Sequence, residues 1–204
     1  MSTAATTLPG YRFYEYLVVL TPHEELHNRI MKVKEEFSVT YKTTLSKQTR
    51  PHILLLKFFT WSLMEEKVLQ RLQHISMGIK PFKVELRDYG SYPTHSIFIN
   101  VATKLPIQHV IKALKEAQHL MKAVNEYKPH FIDEPTLTIA RNLKPWQYES
   151  GWQEYSHRQF TGRFIADSML LLKRLTGERG AYQILNRFEF QNLPVTTRQG
   201  NLFI

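Results

Sequence analysis

One short pattern occurs twice in this chain, and any fold that serves both copies is heavily constrained. The first copy is Pro51-His52-Ile53-Leu54-Leu55. The second is Pro135-Thr136-Leu137-Thr138-Ile139, followed by Ala140 and Arg141. Each is a proline, a polar side chain, and then a run that reads as a β-strand. Residues i and i+2 of a strand share a face. His52 and Leu54 therefore point one way, as do Thr136 and Thr138. Set side by side, the two strands bring all four side chains into one cleft. That geometry suits a phosphate held between two halves of a duplicated fold.

The rest of the chain mixes helical and extended patterns. Residues 11–20 are aromatic and β-branched and read as a strand. Thr21, Pro22 and Glu24 read as a capped helix start, with Leu26, Ile30, Val33 and Phe37 as the apolar stripe. Val68, Leu72 and Ile75 mark a second helix. Apolar positions from Ile107 to Met121 mark a third, and a fourth lies near residues 145–157. Further strands are expected at 52–59, 82–87, 96–101 and 136–141, with a final pair at 163–174 and 182–190. Without the strict alternation of a doubly wound sheet, the class is α+β.

The 204 residues are 43% hydrophobic and 12% aromatic, enough for a sizeable core. No linker divides the chain, so one compact unit over residues 1–204 is expected. Residues 1–10 and 194–204 read as extended or flexible ends. The net charge of +9 favours polyanions: RNA, nucleotides or an anionic membrane. The absence of cysteine excludes disulfides, thiol nucleophiles and zinc–thiolate sites. The first residues lack the pattern of a signal peptide, and no apolar run approaches the ~20 residues of a membrane span. A cytoplasmic monomer with no membrane partner is the default expectation.

The paired motif resembles the signature of the two-histidine phosphoesterase superfamily, which includes the bacterial 2′-5′ RNA ligase-like proteins, also described as RNA 2′,3′-cyclic phosphodiesterases. The family pattern is His-x-Thr/Ser, once per lobe. The resemblance implies two pseudo-symmetric lobes with antiparallel sheets facing a central groove and helices on the outside. It implies one histidine as general base, the other as general acid, and two hydroxyls holding phosphate oxygens. It implies no metal or cofactor, and RNA ends or phosphate-bearing nucleotides as partners. Carried over, His52 matches the first histidine and Thr138 the second hydroxyl. Leu54 replaces the first hydroxyl and Thr136 the second histidine. Threonine has no pKa near neutrality, so it cannot replace an imidazole that is worth ~10²–10⁴-fold in rate. Hydrolysis by the family's mechanism is expected to be badly weakened. A non-catalytic nucleotide- or RNA-binding module on the same scaffold is the alternative.

Other residues compete for chemistry. His23-Glu24-Glu25-Leu26-His27 matches the H-E-x-x-H zinc hydrolase pattern. Its place in a first helical turn and the charge at Glu25 favour a solvated amphipathic helix. Arg141 falls on the face opposite Thr138 in a regular strand, where a structural ion pair is the expectation and phosphate is reached only from the strand end. His130 supplies a second imidazole only if the intervening segment folds back. Tyr92, in a turn with Tyr89 and His95, is placed to stack on a base or to pack its loop.

Overall fold

The computed structural model describes residues 11–43, 50–122, 127–178 and 180–194. The expectation of extended ends at 1–10 and beyond 194 lies outside the described residues. Thirteen elements follow in order: β1 (Phe13–Leu20), α1 (Glu24–Thr40), β2 (Ile53–Trp61), α2 (Glu65–Met77), β3 (Phe82–Tyr92), β4 (Ser96–Val101), α3 (Lys104–Leu114), β5 (His130–Phe131), β6 (Thr136–Arg141), α4 (Pro145–Tyr155), β7 (Thr161–Ala166), β8 (Ser168–Leu175) and β9 (Gln183–Glu189). Short 3₁₀ turns precede α2 and extend α3. Among the described residues this is an α+β fold, with one antiparallel sheet and four α-helices.

The nine strands form one sheet in the order β7-β3-β4-β6-β2-β1-β8-β9, with β5 added beside β2. Four strands lie on each side of the β6–β2 junction, which is a single pair, Ile53 opposite Leu137. The two motif strands are thus the inner edges of the two halves. β7 and β8 stand far apart in the sheet order, yet only Asp167 separates them in sequence. The sheet is therefore bent so that its two flanks approach at that end. The expected single strand over 163–174 is two strands in opposite halves. Both halves continue the apolar alternation, so the sequence carries no break between them.

One face of the sheet is dry. Ile53, Leu55, Leu56, Leu137, Ile139, Ile97, Ile99 and Val84 join the buried residues of the helices in one core cluster. The helix stripes are largely as expected. Leu26, Ile30 and Phe37 of α1 are buried, and so are Val68, Leu72 and Ile75 of α2. One position differs: Lys34 is buried in α1, while Val33 only packs at the core's margin. The start of α1 also differs. The helix begins at Glu24, with His23 at the N-cap and no side-chain cap, and its acidic first turn (Glu24, Glu25) complements the helix dipole. Among the described residues no helix is long and apolar enough to cross a membrane.

Candidate functional site

The motif strands share an irregularity that builds the site. In the ladder with β1, Val18 pairs with Leu56 and Val19 with Leu54, so Leu55 is an extra residue on β2. In the ladder with β4, Ile97 pairs with Ala140 and Phe98 with Thr138, so Ile139 is an extra residue on β6. These are β-bulges at corresponding motif positions. A bulge resets which face the following residues occupy. Leu55 and Leu56 are both buried, as are Ile139 and Ala140, and the next residues, Lys57 and Arg141, return to the open face. Arg141 therefore shares the face of Thr136 and Thr138. The regular-strand expectation that set it opposite Thr138 is corrected by the bulge.

Antiparallel pairing at Ile53–Leu137 directs His52 toward Thr138 and Leu54 toward Thr136 across the junction. Beyond Leu54 the two strands part, and β5 fills the gap. Leu56 pairs with Phe131 and Lys57 with His130, and the Ile132 N–H donates to the Leu55 carbonyl at 3.0 Å. The segment before the second motif does fold back, and it carries His130 to the site. A cavity of about 420 Å³ is lined by His52, Leu54, Tyr92, His130, Thr136, Thr138 and Arg141, together with Ile132, Asp133 and Glu134. Every residue singled out from the motif comparison lies on this one cavity. The two carboxylates were not anticipated. Their only signal in the sequence is their place just ahead of Pro135.

His52 is half-buried, and its Nδ1 lies 2.8 Å from the Arg50 carbonyl oxygen. A carbonyl only accepts, so Nδ1 carries the proton and the neutral ring keeps its lone pair on Nε2. Burial lowers the His52 pKa, the Arg50 hydrogen bond opposes that, and the charges of Lys34 and Arg141 lower it further. A neutral imidazole with a free Nε2 is the form that accepts a proton. Lys34 lies in the core, its pKa pushed down to about 8 by burial and then by Arg141.

The corresponding cations differ in their partners. Lys57 Nζ lies 2.5 Å from Glu15, which Arg174 also contacts at 2.5 Å. Burial raises the Glu15 pKa, but hydrogen bonds from Lys57, Arg174 and Tyr182 outweigh it and keep the carboxylate ionised. Arg141 is exposed and makes no ion pair among the described residues. Its charge is available to an anion in the cavity.

His23 and His27 stand elsewhere, at the N-cap and first turn of α1, with His27 beside Asn28. Among the described residues no group of three His, Asp or Glu side chains is placed to hold a metal ion.

Residues 22–178 match the family profile of the 2′-5′ RNA ligase superfamily. Among solved structures, E. coli LigT complexed with 3′-AMP superposes with a TM-score of 0.61 at 10% identity, covering 88% of this chain and 98% of that one. TT0787 of Thermus thermophilus gives 0.60 at 15% identity, covering 87% and 98%. E. coli LigT in apo form gives 0.58 at 12% identity, covering 87% and 98%. At these identities the likeness is one of fold. Among curated proteins none matches the chain by sequence. With that profile spanning most of its length, the chain belongs to the 2′-5′ RNA ligase superfamily.

Proposed function

We propose that this protein binds the phosphate of an RNA end or nucleotide between its two motif strands and retains a weakened 2′,3′-cyclic phosphodiesterase activity. The observation that carries the reading is the common cavity of His52, His130, Thr136, Thr138 and Arg141. The two halves of the sheet act as pseudo-symmetric lobes of a single bilobal domain, with this cavity in the groove between them. LigT structures with 3′-AMP, NADP+ and phosphate bound give the fold precedent for such ligands.

Arg141 supplies the charge for the non-bridging oxygens, and the Thr138 and Thr136 hydroxyls donate to them. His52 Nε2 takes a proton from the attacking water as its oxygen bonds to phosphorus. The ribose oxygen then leaves and needs a proton, which Thr136 cannot give at neutral pH. His130, brought in by β5, is the imidazole that takes this role. Leu54 leaves one side of the phosphate without a donor. Turnover is therefore slow, and substrate binding is better preserved than chemistry.

The test is hydrolysis of a nucleoside 2′,3′-cyclic phosphate by wild type, His52→Ala and His130→Ala. Slow turnover that each substitution reduces by ~10²-fold or more supports the reading. Binding of 3′-AMP with no turnover in any of the three leaves a binding module on the same scaffold. Neither binding nor turnover rejects both.

A further inference from the structure

The motif cavity is the first of three that share walls. Tyr92, Glu134 and Thr136 also line a second cavity of about 370 Å³, with Arg87, Asp88, Phe98, Asn100 and Lys104. Arg87 in turn lines a third, of about 590 Å³, with Arg29 and Arg163 at the flank of the sheet. The strand register explains the continuity. Thr136 on β6 pairs with Asn100 on β4, Asn100 with Arg87 on β3, and Arg87 with Thr161 on β7. These four form one row on the open face. With strands about 4.8 Å apart, Arg87 lies about 10 Å from Thr136. Arg163 follows in the neighbouring row, opposite Glu85.

The charges along this row are available. Arg87 and Arg163 are exposed and make no ion pair among the described residues. Carboxylates share these walls: Glu85 is paired with Lys83 at 2.5 Å, Glu134 with Lys104 at 4.0 Å, and Asp88 Oδ1 accepts from the Phe160 N–H at 3.1 Å, while Glu25 lines the outermost cavity with Arg29. Arg29 is held over the Phe160 ring and donates to the Thr161 carbonyl at 3.0 Å, fixing a third guanidinium at the far end. Between these cations and Arg141 stands Tyr92, 44% exposed and braced against Phe98 with ring centroids 4.8 Å apart. Cations spaced along a trough with an aromatic ring between them are the pattern of single-strand recognition, in which backbone phosphates and one base are held together. A mononucleotide needs only the motif cavity and leaves the outer two unused.

We infer that the trough from Thr136 through Tyr92 and Arg87 to Arg163 and Arg29 is a subsite for the body of a single-stranded RNA, making the preferred ligand an oligonucleotide. The inference rests on the phosphate reading of the motif cavity, and the test separates the two. Fluorescence anisotropy is measured with 3′-phosphorylated oligouridylates of one and eight nucleotides, against wild type, Arg141→Ala and Arg87→Ala/Arg163→Ala. The wild type binds the octamer on the order of 10- to 100-fold more tightly than the mononucleotide. In the double variant that ratio falls toward one, and the slope of log K against log salt drops by about 1.4, or ~0.7 per lost phosphate contact. Arg163→Glu alone, at an exposed position of the edge strand, gives the same direction if the double variant does not fold. A wild-type ratio near one, or a ratio untouched by the arginine substitutions, overturns the trough. Mononucleotide binding that still depends on Arg141 would then leave the motif cavity standing. No binding of either ligand overturns both.

Discussion

Lys57 and Arg141 hold corresponding places on the two motif strands, each turned to the open face by a bulge two residues earlier, yet among the described residues Lys57 is ion-paired and Arg141 is not. The pairing with Glu15 makes Lys57 a structural cation, while Arg141 is the cation that the proposed phosphate site uses. Arg141→Ala is therefore expected to weaken 3′-AMP binding by ~10–100-fold, the value of a charge-assisted hydrogen bond of roughly 1.5–3 kcal/mol, with little change in Tm. Lys57→Ala removes one of the cations that hold a buried carboxylate and is expected to cost about 1–3 kcal/mol of stability. Calorimetric titration and thermal denaturation on both variants check the contrast. Equal effects on binding would remove the asymmetry.

Thr136 is the residue on which the proposed weakening of the chemistry turns. It lies on the cavity, on the face of Thr138 and Arg141, and lacks only a group that titrates near neutrality. Thr136→His is expected to raise cyclic phosphate hydrolysis by ~10²-fold or more. It also relieves His130 of its proposed role, so His130→Ala should cost far less in that background than in wild type. Steady-state rates for the two singles and the double give the coupling. Strict additivity would place His130 outside the chemistry.

Gly90 sets the floor under Tyr92. A Cβ there would come within 2.5 Å of the Phe98 ring and 2.6 Å of Asn100 Oδ1. Both side chains belong to the trough, and Phe98 braces Tyr92. Gly90→Ala is expected to cost about 1–3 kcal/mol through overpacking. Urea unfolding should read this as a lower midpoint with unchanged slope. Octamer RNA affinity should fall with it as the aromatic brace shifts.

The sequence was most legible where periodicity and motif agree. The core positions of β2, β6 and the helices follow from their apolar spacing, and the side chains of the motif pair line one cavity. What escaped were departures from regular geometry. Nothing local marks Leu55 or Ile139 as bulged, since a two-residue alternation assumes an unbroken ladder, and so Arg141 was assigned to the wrong face. His130 reached the cavity through a two-residue strand too short to give a pattern. The break at Asp167 was hidden because both flanking runs are apolar and extended. Lys34 was missed because a buried lysine at a stripe position reads from sequence as a solvated one.

Half-buried His52 and buried Lys34 give the site a pH signature with a definite sign. Burial, with Lys34 and Arg141 nearby, lowers the His52 pKa despite the Arg50 hydrogen bond. The neutral ring is thus favoured by folding, and its contribution to stability is complete above the ordinary imidazole value of ~6.5 and lost as pH falls through the lower folded value. NMR titration of the His52 ring should give a midpoint below that ordinary value, and Arg141→Ala should raise it by removing one positive neighbour. Lys34 follows the same logic in a higher window. Its pKa, pushed down from 10.5 to about 8, means folding disfavours the ammonium. Its contribution is complete above pH 10.5, falls as pH drops toward 8, and below that remains a constant cost on the order of 3 kcal/mol. Lys34→Met cannot charge, so its stability relative to wild type should be greatest near pH 7 and should shrink as pH rises from 8 to 10. A difference that does not vary over that range would mean that Lys34 titrates at its ordinary value. The same substitution also removes a positive neighbour of His52, so the His52 midpoint in Lys34→Met should rise as it does in Arg141→Ala.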